Sequence, residues 1–277
     1  MTPHRIAINR QYGPENLDEK VALVLEESCL DPETASGDDL TAFDELHIGG
    51  RGATLALATV AGLTPNDVVL DVGSGLGGPA RTLASRIGCR VKGIDLTSAF
   101  CRTATELSKA AGLTDRVTFH HGDALNLPFE NQKFDVVWNQ HFAMNVEEKG
   151  PLYKEEYRVL RSGGKLALHE IVAGPNDPPY YPVPWARKPS ISFLVTEDRL
   201  RYIAASEGFD VEKWVEVSEE ALDWYDAVAQ RNRSGKGPSP LNQMLVFGQD
   251  LPVMAKNMKR NLKEKRIKVI RALLRKP

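Results

Sequence analysis

The sequence predicts an α/β fold: a doubly wound, mostly parallel seven-stranded sheet with a helical cover before it and a helical lid after it. Three observations carry this reading. Strand-like and helix-like segments alternate through the middle of the chain. The first strand runs directly into a glycine-rich turn and then a helix. Apolar residues make up 42% of the 277, enough to bury a sheet on both faces.

The elements follow in order. Val68–Val72 is a short apolar strand that ends in glycines, and Pro79–Ile87 is the helix after it. Arg90–Ile94 is the second strand, closed by Asp95. Thr97–Ala111 is a helix with Thr97 as N-cap. Val117–His121 and Phe134–Trp138 are the third and fourth strands. Gly150–Leu160 is a helix stopped by Ser162-Gly163-Gly164, and Lys165–Val172 is the fifth strand. Thr196–Glu207 is a helix capped by Thr196 and ended by Gly208, with Phe209–Val217 the sixth strand. Ile267–Arg275 reads as a seventh strand or a helix end. Residues 1–64 are expected to form the helical cover and 65–277 the main domain. The latter includes a proline-rich loop over 173–195 and a helical insertion over about 218–266, interrupted by Ser234–Pro240.

Composition narrows the function classes. A net charge of -2 gives no bulk attraction to nucleic acid. No run of 18 apolar residues marks a membrane span, and Met1–Tyr12 lacks the apolar core of a secretory signal. Cys29, Cys89 and Cys101 are scattered and suit neither a disulfide framework nor a zinc site, so no metal and a cytoplasmic setting are expected. Charge is uneven: Glu15–Glu45 is acidic and Lys256–Pro277 basic. The basic tail reads as a solvated face, near the acidic segment.

The segment Val69-Leu-Asp-Val-Gly-Ser-Gly-Leu-Gly-Gly78 is the most informative. Glycines let the backbone turn sharply and approach a ligand, and the following helix presents free N–H groups. Gly73, Gly75 and Gly78 also fit a dinucleotide pattern, with Asp95 on a ribose, so a nicotinamide-dependent oxidoreductase is the first alternative. Two features oppose it. Asp71 lies inside the strand, two residues before the first glycine, where a carboxylate suits an ammonium better than a pyrophosphate. Gly122-Asp123-Ala124 then places a second acid at the end of the third strand.

Taken with Phe134-Asp135-Val136-Val137 and the Val159–Gly164 turn, these motifs resemble the class I S-adenosylmethionine-dependent methyltransferases over about residues 65–172. The chain is similar to the small-molecule enzymes of the sarcosine/dimethylglycine, ubiquinone-pathway and sterol type. Asp44–Gly50 and Leu76–Arg81 look most like the sarcosine/dimethylglycine branch, from which residues 173–277 depart. The resemblance implies S-adenosylmethionine as cofactor and S-adenosylhomocysteine as product. It implies that Asp71 and the Gly73-Ser74-Gly75 backbone, with Gly77, hold the methionine part. Asp95 would take both ribose hydroxyls and Leu96 would flank the adenine. Asp123 would bind the adenine amino group, with Ala124 against the ring. Asn139 and Gln140 would lie near the reaction centre, and His47 would cover the cofactor, as Tyr12 could.

Methyl transfer from a sulfonium is an in-line displacement, so the protein mainly aligns the acceptor and excludes water. A base must take the proton of an amine or hydroxyl acceptor. His141 is the candidate base and Asn145 a candidate holder of a substrate carbonyl or carboxylate. His120, His121 and His169 read as structural. Tyr180, Tyr181 and Trp185, on the loop after the fifth strand, are candidate substrate contacts through cation–π interaction, and Trp224 and Tyr225 suit a lid. The expected reaction is N-methylation of a small amine or amino acid. O- or C-methylation of a quinone, sterol or sugar is the alternative, compatible with Met244–Phe247; a protein that holds the cofactor without turnover is another. Asn139-Gln140-His141-Phe142 is not the Asn/Asp-Pro-Pro-aromatic motif of nucleic-acid amino methylation, so the partner is a small-molecule acceptor, with homo-oligomerisation left open.

Overall fold

The structure is a computed structural model that describes residues 3–12, 17–27, 43–233 and 242–277. Seven strands form one sheet in the order β3-β2-β1-β4-β5-β7-β6. They are β1 (Val68–Val72), β2 (Arg90–Asp95), β3 (Val117–His121), β4 (Phe134–Gln140), β5 (Leu160–Ala173), β6 (Asp210–Glu216) and β7 (Ile267–Arg275). The first five run parallel, and β7 inserts antiparallel between β5 and β6. The strand order reverses between the parallel neighbours β1 and β4, so a crevice opens at their carboxyl ends, where such sheets bind ligands.

Strands β1 and β4 lie at the sheet centre and are apolar on both faces; Val69, Leu70, Val136 and Val137 are all buried. The edge strand β6 is mostly exposed and charged, which protects its free side from pairing. Two strands extend beyond their predicted ends. β4 continues to Gln140, which brings Asn139 and Gln140 into the sheet. β5 begins at Leu160 instead of Lys165. Ser162-Gly163-Gly164, read as a helix stop, is a bulge within it: the register to β4 slips there and Gly163 takes φ 73°.

Three described helices precede the sheet: α1 (Pro3–Tyr12), α2 (Leu17–Glu27) and α3 (Gly50–Ala61). Between strands come α4 (Gly78–Arg86), α5 (Ser98–Ala110), α6 (Lys149–Val159) and α7 (Glu197–Ser206). Thr196 caps α7, its hydroxyl accepting from Arg199 N at 3.3 Å. Thr97 precedes α5 as predicted, but its side chain makes no capping bond. The insertion is α8 (Ser218–Arg233), α9 (Met244–Phe247) and α10 (Leu251–Lys263); Ser234–Pro240 lies outside the described residues, as does most of the acidic 15–45 segment. The basic tail comprises the second half of α10 and strand β7, where Arg271 pairs with Glu220 at 2.7 Å and Lys268 with Glu216 at 2.9 Å.

A buried ion pair fastens the cover to the sheet. Arg81 Nη2 on α4 donates to Asp44 Oδ2 at 2.5 Å, with both side chains 2% exposed. The same guanidinium reaches Leu76 O at 2.6 Å and Ser108 Oγ at 3.1 Å. Next along, Thr82 donates to Glu45 at 2.7 Å. The segment passes so close to α4 that a Cβ on Gly78 would lie 2.5 Å from the Asp44 carbonyl oxygen. Removing one partner leaves a buried charge alone. Arg81→Met is expected to lower stability by about 3–5 kcal/mol, read as a drop in the urea midpoint; an unchanged midpoint refutes the anchoring role.

Candidate active site

The glycine turn is held from the neighbouring strand. Gly73 N and Ser74 N both donate to Ile94 O, at 2.9 and 3.1 Å, and Gly75 N donates to Asp95 Oδ2 at 2.9 Å. Gly73 and Gly75 take φ 73° and 52°, a region that favours glycine. Asp95 Oδ1 accepts from Thr97 N at 2.8 Å, so the carboxylate is fixed by two backbone donors at the end of β2. Burial nonetheless pushes its pKa up. Asp123, at the end of β3, takes Leu125 N at 3.0 Å and is likewise held in a turn.

These ends open on one cavity of about 1080 Å³. Its wall contains Gly73, Ser74, Gly75, Asp95, Leu96, Asp123 and Ala124, the residues predicted for the adenosine and methionine parts. Gln140 and His47 also line it. Gln140 Oε1 accepts from Trp138 Nε1 at 2.8 Å, while its Nε2 is buried without a partner and free to donate. The His47 ring nitrogen lies 3.0 Å from Gly50 O, and burial lowers its pKa to about 4. The N-terminal cover closes the cavity: Tyr12 lies on its wall, with its hydroxyl donating to Asn145 Oδ1 at 2.8 Å.

Several predicted site residues lie elsewhere or are otherwise engaged. Asp71 sits behind the turn, where burial, with Glu45 and Asp95 adding to it, lifts its pKa to about 8. Gly77 is not on the wall, and a Cβ there would run into the Phe119 ring. Asn139 is fully buried, and its amide donates to Glu156 at 2.9 Å. Asn145 borders the cavity, but its amide donates to Trp185 O and Ile191 O at 2.8 and 3.1 Å. It braces the proline-rich loop, whereas the sequence reading had it hold a substrate carbonyl or carboxylate. Tyr180 lies away from the cavity, its ring between the guanidiniums of Arg260 and Arg266 at 3.7 and 4.1 Å. Tyr181 packs in the apolar cluster below. Trp185 does line the cavity, as do Trp224 and Tyr225 of α8.

His141 is on the wall and is the strained residue of the site. It takes φ 51°, unusual for a residue with a side chain, and its N donates to His169 O at 2.8 Å. Both ring nitrogens are buried without partners, and burial holds its pKa well below the usual histidine range. It is thus a neutral imidazole with a free lone pair. Sequence reasoning missed Phe142, whose ring covers Gly73, and Glu170, which accepts from Phe142 N and Ala143 N at 3.0 and 3.1 Å. A buried acid inside an apolar strand was the available signal. Among the described residues no group of three histidine, cysteine or acidic side chains is placed to hold a metal, and no helix is long and apolar enough to cross a membrane.

The sheet order defines a doubly wound domain with an acid-lined crevice at the strand ends. Residues 70–168 match the profile of the methyltransferase-domain family. A sterol 24-C-methyltransferase of Eremothecium gossypii is 39% identical over 120 residues, 43% of this chain and 32% of that protein. The chain thus matches about a third of that curated relative's length. Phosphoethanolamine N-methyltransferase 2 of Haemonchus contortus, solved with S-adenosyl-L-methionine, superposes with a TM-score of 0.71 at 22% identity over 90% of this chain and 59% of that one. The cyclase SpnF gives a TM-score of 0.64 at 24% identity over 82% of this chain and 81% of that one. These two structures establish the fold.

Two expected outcomes follow from the site. Burial raises Asp71 and Glu156 to about 8. Between the unfolded pKa near 4 and that value, the folded chain keeps protons that the unfolded chain releases, so stability falls as pH rises. Glu156→Gln is expected to flatten that slope by up to about 1.4 kcal/mol per pH unit between roughly pH 5 and 7, seen in urea midpoints; an unchanged slope counts against the assignment. Asn145→Ala is expected to cost about 1–3 kcal/mol and to speed proteolysis within residues 180–195; undiminished protection there would show that the brace is unimportant.

Proposed function

We propose that this chain is an S-adenosylmethionine-dependent methyltransferase acting on a small molecule. The observation that carries it is the fixed Asp95 carboxylate beside the Gly73–Gly75 turn, both on one cavity wall with Asp123. Asp95 would receive the ribose hydroxyls, Leu96 and Ala124 would enclose the adenine, and Asp123 would meet its amino group. The turn would hold the methionine end, and Gln140 Nε2 would donate to its carboxylate. When bound, the cofactor supplies an activated methyl group. The chain's own part is alignment, exclusion of water by the cover and α8, and removal of a proton by the neutral His141 imidazole.

For the acceptor, the geometry favours O- or C-methylation of a molecule with an apolar body over N-methylation of a small amino acid. Pockets for drug-sized ligands measure roughly 300–1000 Å³, so about 1080 Å³ suits a cofactor and an acceptor of comparable size. The wall beyond His141 is formed by Met144, Trp185, Trp224, Tyr225 and Met258. Those side chains suit rings and alkyl chains. N-methylation, which the sequence favoured, is retained as the second reading because Tyr12 and these aromatics could also face a cationic amine.

Calorimetric titration with S-adenosylhomocysteine, alongside NADH, tests the cofactor. Binding of the first alone is expected, weakened about 10- to 100-fold by Asp95→Ala, the range for a lost charge-assisted hydrogen bond. Binding of NADH alone would replace the reading with the dinucleotide one. Release of S-adenosylhomocysteine with a panel of hydroquinones, sterols and methylated glycines then separates the two acceptor readings.

A further inference from the structure

Resting on the methyltransferase reading, we infer that His169 is a positioning and relay residue, and that protons released during methyl transfer leave through a second, smaller pocket behind it. His169 is on β5 and read from sequence as structural. The structure sets it beside His141, with ring centroids 4.7 Å apart and the rings edge to face. His169 is only 2% exposed, and its Nδ1 has no partner. Sheet register places it directly across from Arg271 on β7.

The two histidines border different spaces. His141 lines the large cavity, whereas His169 lines a pocket of about 190 Å³ with Gly52, Ala56, Glu220 and Arg271. Glu220 and Gly52 are exposed, so this pocket has its mouth on the surface. Ile48, Gly49 and Trp224 belong to both walls. The imidazole pair therefore crosses a partition between the reaction chamber and solvent. Two further neighbours stand around His141. His47 stands 6.0 Å away and is engaged with Gly50 O and Thr54, and Phe142 lies across the glycine turn.

A covered chamber needs such an exit. As the acceptor X–H attacks, the X–C bond forms, the sulfonium C–S bond breaks to a neutral thioether, and one proton remains. That proton passes to His141, then to His169, directly or through one water, and then to buffer at the Glu220–Arg271 mouth. Burial disfavours the protonated form of both imidazoles, so neither holds the proton for long. Groups facing the pair are His47, Arg271 and, beyond them, Glu45 and Glu220. His141 takes a left-handed φ of 51°, and its ring meets the His169 ring edge to face.

The test has two arms. With S-adenosylhomocysteine saturating the protein, deuterium exchange at the histidine C2 positions is read by mass spectrometry. His169 is expected to exchange at its unliganded rate while His141 slows; equal slowing of both would overturn the exit. Failure of S-adenosylhomocysteine to bind at all instead removes the underlying reading. In the second arm, His169→Ala is expected to bind S-adenosylhomocysteine within about twofold of the parent chain. Turnover with the acceptor found by the panel should fall at least tenfold at low buffer concentration and recover with added imidazole. A variant that keeps full turnover, or loses it with no recovery, contradicts the relay.

Discussion

The Asp95 carboxylate is the constraint on which the site depends. It sits where β2 ends and takes one backbone donor from the glycine turn and one from the start of α5. Those bonds, with Ile94 O receiving two more, set the path of the turn relative to the neighbouring strand. With its N–H groups engaged in this way, the turn holds one path along the cavity wall. The same carboxylate keeps acceptor capacity for a ligand, because each oxygen has more than one lone pair.

The cover depends on a second set of buried polar contacts. Asp44 and Arg81 fix the segment before α3 onto α4, and Gln243 of the lid region donates to Glu45 O at 3.0 Å. Tyr12, Asn145, Trp185 and Gln11 then form a chain of hydrogen bonds from α1 to the proline-rich loop, with Gln11 donating to Pro184 O at 2.9 Å. Cover, loop and strand end are thus one connected wall. A buried polar chain of this kind holds its geometry only when its members are paired, which is why Asn145 serves the wall first.

Strand positions and the ligand edge were legible because local pattern decides them. Apolar runs ended by glycine or aspartate gave β1, β2 and β3 close to their observed limits. The cavity-lining residues from Gly73 to Ala124 were legible for the same reason: they follow strands whose ends must lie on one edge. Tertiary burial decided the rest. Gly77 and Asn139 carry motif residues but face inward, toward Phe119 and Glu156. Tyr180 stands one position from Tyr181, yet Arg260 and Arg266, some 80 residues later, capture its ring. The bulge at Gly163 was hidden because the same glycines serve a helix stop or a strand irregularity. His169 resembled a filler in an apolar strand, and only the register with Arg271 and the His141 contact exposed its position.

The central claim is that the cavity brings an activated methyl group to a small acceptor. It is tested most directly by incubating the protein with trideuteromethyl-labelled S-adenosylmethionine and a small-molecule extract, then surveying masses. The account predicts a compound heavier by one labelled methyl group, absent from the Asp95→Ala control. S-Adenosylmethionine bound but returned intact, with no labelled product from any acceptor class, would contradict it.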